Sequence, residues 1–571
     1  MTLRNTTRTL LLTGAAAVLA SCGGGGSGDS GSGGGFVPGV GGGGGGTGGV
    51  PVPTFNANQY PDSSTLKGVC ETVRTTTDPQ GNSYGDRQGE RIHELFWVRS
   101  WMNETYLYYD QVTDSDPNNF TDVRAYFEER LTTATRAGNT PVDRFSYTQL
   151  TEDFEAASQG EPTFGYGAEF ARLVSRPTDT LDRDWRVAFV QSGSEAEAKG
   201  FTRGAKLIEI DGVSFLNGSS QAEVDIIIDG LFPATVGETH TFLVERPDGT
   251  RETLTLVSES IAIEPVNAIT VLPTLDGRDV GYIHYHTFFD RTGEQQLFDA
   301  FQQLSDQNVD DLVLDFRYNS GGFLVLAAQI GYMVAGTNSA NQVFYNQSFN
   351  DKSGNRNPVT GEVVGPLDFV DETVGLQEGF RSGQRLPDLG LPRVFVLTTS
   401  QSCSASEAVI NGLLGIGVEV VQIGTTTCGK ATGQFPTENC GVTYAPLHFR
   451  GVNAQGFGDF DDGFAPGQMT GAAGPVIPGC VVEDDFANAL GSPGEAQLAA
   501  ALTYIETGAC PAAAVAAAPK VVSDTLAQSP VAVEDPLLEH PTIARRIRLE
   551  REGRIDFEAT PLDPNAAAPG E

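Results

Sequence analysis

The sequence predicts a multidomain α/β protein, and three observations carry that reading. The chain has 571 residues, more than a single hydrophobic core usually organises, so several domains are expected. Between residues 261 and 510, apolar β-branched runs alternate with helical patterns, as in a sheet covered by helices. Residues 160–260 instead hold short alternating runs punctuated by glycine, the pattern of a small β-rich module.

Taken in order, residues 1–22 carry Arg4 and Arg8, then an apolar run from Leu10 to Ala20. That run is too short to span a bilayer and reads as an export signal. Leu19-Ala20-Ser21-Cys22 resembles a bacterial lipobox, which implies lipidation of Cys22 and residence in the cell envelope. By the same resemblance, Gly23 after the cysteine points to the outer membrane facing the periplasm. Residues 23–55 are rich in glycine and cannot bury a core; they read as a flexible tether. Residues 56–159 form a helical N-terminal region. One helix is expected from Arg91 to Tyr109, with Ile92, Leu95, Phe96, Trp101, Met102 and Tyr106 on one side. A second starts near Asp122, with Val123, Tyr126, Phe127 and Leu131 at helical spacing.

In the β-rich module, Gly165-Tyr166-Gly167-Ala168-Glu169-Phe170 leads into a strand, Trp185–Gln191 alternates, and Gly193–Phe201 reads as a short helix. Gly204-Ala205-Lys206-Leu207-Ile208-Glu209-Ile210-Asp211-Gly212 is a turn, a strand and a turn. The α/β segment opens with a strand at Val280–Phe288, a helix at Leu297–Leu304 and a buried strand at Asp311–Phe316. That strand runs into Asp315-Phe316-Arg317-Tyr318-Asn319-Ser320-Gly321-Gly322. Residues 338–390 receive no assignment. Residues 511–571 begin alanine-rich and end proline- and aspartate-rich, with one basic helical piece at Thr542–Arg554; a largely disordered or docking tail is expected.

The chemistry concentrates between Arg393 and Gln434. Val394–Leu397 reads as a strand, Ser400–Ser406 as a serine-rich turn, and Ala405, Val409, Ile410, Leu413 and Leu414 as the apolar side of a helix. A second strand, Val418–Ile423, leads to Gly424 and Thr425-Thr426-Thr427-Cys428-Gly429-Lys430. If the two strands are neighbours, Ser404 and Lys430 emerge at one sheet edge. A neutral lysine can take the serine's proton, and the Ala405 amide at the helix start can stabilise an oxyanion.

Blander readings compete. Ser404-Ala405-Ser406-Glu407 is also a capping box. Gly424 to Lys430 fits most of a phosphate-binding loop, but Ala431 stands where a Ser or Thr is needed, and Gly433 and Pro436 break the helix that should follow. Cys403 is a rival nucleophile without an evident histidine partner. His93-Glu94 is not a zinc motif because Trp97 stands in place of the second histidine, and no metal site is expected. The net charge of −37 argues against nucleic-acid binding. Of seven cysteines, six remain once Cys22 is set aside, an even number that in an exported chain points to disulfides. Cys428 and Cys440 are near enough in sequence to pair, while Cys70, Cys403, Cys480 and Cys510 are left open.

Together these motifs resemble the carboxyl-terminal processing (tail-specific) proteases, Ser–Lys peptidases of the S41 type. The resemblance implies that Ser404, in Ser402-Cys403-Ser404-Ala405-Ser406-Glu407, is the nucleophile, Lys430 the base and Gln434 its orienting partner. It also implies that Gly321 or Gly322 completes the oxyanion hole opposite Ala405, on a core of the ClpP/crotonase-like type. Asp315 and Arg317 then look structural. Two departures, Cys403 for a small residue and Cys428 for an aromatic, remove no catalytic group. The stretch Gly204–Gly212 resembles a PDZ domain, which places Phe164, Gly165, Tyr166 and Gly167 around a peptide carboxylate. The implied function is an exported serine endopeptidase without cofactors that cuts protein or peptide substrates near their C-termini. The alternative is a catalytically silent peptide-binding scaffold of the same fold.

Overall fold

The computed structural model describes residues 50–78, 81–136, 140–158, 163–173, 181–262, 264–377, 379–467, 469, 471–512 and 535–539. The expected export signal with Cys22 and the basic piece at Thr542–Arg554 lie outside these residues.

The N-terminal region is built on α1 (Arg91–Thr105) and α2 (Val123–Glu129). Helix α1 stops four residues earlier than expected, because Tyr106 turns extended (φ −66°, ψ 134°). It is buried on nearly every side: Trp97 stacks on Trp101 at 4.8 Å, and both rings meet Tyr444 from far along the chain. Strand β1 (Tyr147–Leu150) continues that union, pairing antiparallel with a strand at Val442–Ala445. Cys70 and Cys440 bond the same two regions covalently.

The small domain begins with β2 (Thr163–Gly165), which pairs with Glu259–Ile261. Its main sheet comprises β3 (Ala168–Leu173), β4 (Asp184–Val190), β5 (Lys206–Ile210), β6 (Thr239–Glu245) and β7 (Arg251–Val257), in the antiparallel order β7-β6-β5-β4-β3. Helix α3 (Gln221–Leu231) closes its core with Val224, Ile227 and Leu231, and Ser220 with Glu223 forms a capping box at its start. Edge strand β3 buries Ala171 and Leu173 against Phe486 of the α/β half.

That half is a six-stranded sheet in the order β8-β9-β10-β12-β13-β16. Its strands are β8 (Val266–Pro273), β9 (Asp279–Tyr285), β10 (Asp311–Asp315), β12 (Arg393–Thr398), β13 (Glu419–Gly424) and β16 (Gly479–Val481). All but β8 run parallel. Side chains alternate between two cores, as a pleated strand requires. Leu312, Leu314, Val394, Val396 and Val420 face α4 (Gly293–Asp306), α5 (Leu324–Ala335) and α6 (Ala405–Gly415). Val313, Phe395, Leu397, Val421 and Ile423 face α7 (Ala496–Thr507). The unassigned stretch contributes β11 (Val343–Phe349), which pairs antiparallel with β15 (Phe449–Val452); β14 is the Val442–Ala445 strand that holds β1.

The register decides where chemistry can occur. Asp315 lies opposite Leu397, Leu397 opposite Ile423, and Thr398 opposite Gly424. Three parallel strands therefore end in line, and the loops that leave them share one edge of the sheet.

Candidate active site

Those three loops carry the singled-out motifs. Ser404 precedes α6 with φ +58° and ψ −109°, in the left-handed half of conformational space that non-glycine residues rarely occupy. The residue is buried, and its Oγ makes no hydrogen bond among the described residues. Only one half of the expected capping box is therefore a hydrogen bond: the Ser404 amide donates to Glu407 (3.0 Å). The Ala405 amide, first of its helix, has no intrahelical acceptor.

The glycine loop seals the other side. Cys403 N–H and Ser406 Oγ donate to Asn319 O (3.0 and 3.2 Å), and Ser402 Oγ donates to Phe316 O (2.8 Å). Gly321 has φ +105°, and a Cβ there would lie 2.7 Å from Ser404 Cβ and 3.0 Å from Ala405 N. Its amide donates to Asn319 Oδ1 (2.9 Å). Gly322 packs on Phe288 so tightly that a Cβ would fall 2.3 Å from that backbone. Both positions require glycine.

Lys430 enters from the third loop. A single oxygen of Glu407, Oε2, accepts from the amides of Ser404 (3.0 Å) and Lys430 (2.8 Å). The other accepts from Gly429 N–H (2.8 Å) and the Thr427 hydroxyl. Glu407 is fully buried; burial raises its pKa, and these neutral donors pull against that. The Lys430 side chain is buried with its Nζ 5.4 Å from the centre of the Phe145 ring. Gln434 donates from Nε2 to Phe145 O (2.6 Å).

A disulfide doubles the link. Cys403 and Cys428 are bonded, with Cα atoms 5.1 Å apart. The expected Cys428–Cys440 pair is thereby corrected. Cys440 sits on the turn before β14 and meets Cys70, whereas Cys428 folds over the nucleophile loop; Cys480 bonds Cys510. A bonded Cys403 offers no thiolate, so it is no rival to Ser404.

Comparison with known proteins picks out the same segments. Residues 279–443 match Peptidase family S41, and residues 96–147 match the Peptidase S41 N-terminal domain. Both segments are thus similar to S41 peptidases. It is 30% identical over 140 residues to the carboxyl-terminal-processing protease of a Picosynechococcus species, covering 24% of this chain and 32% of that one. It is also 30% identical over 152 residues to the chloroplastic C-terminal processing peptidase of Tetradesmus obliquus, covering 25% and 32%. The chain thus aligns with about a third of the length of these relatives. A crystal structure from Bacteroides fragilis assigned to the S41 proteases superposes with a TM-score of 0.54 at 23% identity, over 72% of this chain and 97% of that one. That likeness bears on the fold.

Within the S41 match, Ser404, Lys430, Gln434, Ala405, Gly321 and Gly322 all converge on one sheet edge. The N-terminal match contributes residues that carry no signal in the sequence. Phe145 meets both Lys430 and Gln434, and Arg144 donates to the carbonyls of Cys428 (3.1 Å) and Asp461 (2.8 Å). Neither has a local motif, because each acts across nearly 300 positions. Equally hidden is how Asp315 and Arg317 are held. Arg317 is completely buried and paired with Asp315, Asp484 (2.8 Å) and Glu495 (2.7 Å). Burial alone would raise the Asp315 pKa, but the guanidinium beside it holds the carboxyl down to about 2. Tyr318, next in the loop, has φ +64° and binds Asp484 through its hydroxyl.

The residues expected around a peptide carboxylate are divided. Phe164 is exposed, whereas Tyr166 is buried and donates its hydroxyl to Gly230 O (2.9 Å). Gly167 has φ +79°, and a Cβ there would strike Ser194 at 2.3 Å. His284 is buried and His286 half-buried, and both are held neutral, desolvation lowering their pKa values to about 4 and about 3.

Proposed function

We propose that this chain is a serine endopeptidase acting through Ser404 and Lys430. Ser404 Oγ attacks the peptide carbonyl, and neutral Lys430 takes its proton and returns it to the leaving amine. Gln434 orients the lysine. The oxyanion is received by the Ala405 amide and the glycine loop, Gly322 being the better donor since the Gly321 amide is already engaged by Asn319. Water then clears the acyl-enzyme.

The observation that carries this reading is the double tie between the two loops, one Glu407 oxygen accepting from both Ser404 and Lys430 and a disulfide two residues before the lysine. In line with the family resemblance, substrates are protein C-terminal segments, and the small domain presents them with Phe164–Gly167 beside edge strand β3. The protein is exported and tethered to the bacterial envelope through lipidated Cys22. No helix among the described residues is long and apolar enough to cross a membrane; in this reading the attachment is the lipid.

The test is cleavage of casein or of a peptide with an apolar C-terminus by the detergent-solubilised full chain. Ser404→Ala and Lys430→Ala should each lower kcat/KM by roughly a thousandfold or more with unchanged melting. Activity surviving in Ser404→Ala would refute the mechanism. The mass of the mature N-terminus reads the lipid on Cys22 independently.

A further inference from the structure

Most of the chain beyond the last core helix lies outside the described residues, but one short segment is seated on the small domain. Asp535 and the single turn α8 (Pro536–Glu539) lie against α3. Leu537 is completely buried and belongs to the small domain's core cluster, and Leu538 packs partly against it. Asp535 caps its own turn by accepting from Leu537 N–H (3.0 Å).

The seat is built around a cation. Arg183, just before β4, is almost completely buried, and its Nη1 donates to Phe215 O (2.8 Å). Its Nε and Nη2 face the Asp535 carboxylate at 3.0 and 2.6 Å, the two-pronged geometry that guanidinium and carboxylate share. The partner acid lies 352 positions away. The other acid acting on Arg183 is Glu223 of the α3 capping box, whose carboxylate is engaged by Ser219 and Ser220. A buried guanidinium completed by a remote carboxylate, next to an apolar core that takes up a leucine of the same segment, has the form of a short-motif receptor.

We infer that the small domain carries a docking site for short acidic, leucine-containing peptides, with Arg183 reading the acid and the apolar core beside α3 reading the leucine. In this chain the site is occupied by the protein's own Asp535–Glu539. The tail is an intramolecular competitor: its tether supplies a high effective concentration, so another polypeptide gains the site only when the tail leaves. The inference concerns binding and does not depend on the peptidase reading.

The experiment uses the full chain in its Ser404→Ala form, so that the probe is not cut. The probe is a fluorescein-labelled peptide spanning residues 532–541, followed by polarisation. Asp535→Ala with Leu537→Ala should vacate the seat and bind the peptide at least tenfold more tightly than the parent. Adding Arg183→Leu should abolish that gain, and Arg183→Lys, which keeps charge but not the fork, should restore part of it. Leu537→Ala alone serves if the double variant melts early. A vacated chain that binds the peptide no better than its parent would overturn the inference. So would a vacated chain whose binding is indifferent to Arg183→Leu.

Discussion

Two buried carboxylate centres brace the candidate site, and they work in opposite ways. Under the glycine loop, Asp315, Asp484 and Glu495 surround Arg317, so negative charge meets positive charge within the core. Under the nucleophile and base loops, Glu407 meets only neutral donors: three amides and a hydroxyl. The pKa directions follow. Burial tends to raise Asp315, Asp484 and Glu407, but Arg317 pulls Asp315 down to about 2 and, with Arg203, lowers Asp484, while Glu407 stays raised. The difference separates two tasks. A charge-paired centre makes a rigid foundation and is costly to break. A carboxylate that gathers amides sets the positions of the loops it holds, the one carrying Lys430 included.

The largest expected effect tests the foundation. Arg317→Met leaves Asp315 and Glu495 in the core without their cation, Asp484 keeping Arg203, and should cost about 3–5 kcal/mol of stability, read by urea unfolding. Glu407→Gln keeps the size and one acceptor, so it should cost about 1–3 kcal/mol yet lower kcat by roughly a hundredfold, through loss of loop position. If Glu407→Gln destabilised as much as Arg317→Met, the two centres would not divide their work in this way.

A smaller effect concerns the disulfide that shares Glu407's task. Replacing Cys403 and Cys428 together by alanine should leave a folded protein with kcat down about tenfold, since only the carboxylate and backbone hydrogen bonds such as residue 428 N–H to Ser402 O (3.1 Å) then hold the loops. Peptide hydrolysis and thermal melting measure the two halves of that expectation.

The smallest effect is in pH. Asp315 has a lowered pKa, so its stabilisation is present above the ordinary aspartate range and drains away as pH falls from about 4 to about 2. Glu407 has a raised pKa, so the folded state holds its proton more tightly than the unfolded chain does. Its contribution favours folding at acid pH and fades as pH rises through the folded value. The melting temperature of the parent minus that of Glu407→Gln should therefore increase as pH is lowered from 7 to 5. A difference that shrinks over that range would contradict the assignment.

The readable parts of the molecule are those that announce themselves locally. The strand–turn–helix around Ser404, the loop ending in Lys430 and the paired glycines each lie within a few residues of sequence, and the parallel register brings their ends together. Glu407 reads as the acidic half of a capping box, and its carboxylate does hold the Ser404 amide; that it also holds Gly429 and Lys430 appears only when β12 and β13 lie side by side. The disulfides are opaque for the same reason. Proximity in sequence favours Cys428 with Cys440, but Cys440 pairs across 370 positions with Cys70. Phe145 and Arg144 have no signature, because the helical region that carries them is joined to the core through β1 and β14. The stretch containing β11 stays unassigned in the sequence because its turn-rich composition hides a strand recognised only by its partner β15.

The dispersal of the site along the chain has a bearing on how the protein is made. Phe145, Arg317, Ser404, Lys430 and Glu495 are contributed by segments spread over most of the polypeptide, and Arg317 gains its last acid only from the start of α7. A ribosome will have delivered the serine and the lysine long before that acid emerges. Until then Arg317 has only part of its set of acids, so the glycine loop gains its full foundation with the last helix of the sheet's far face.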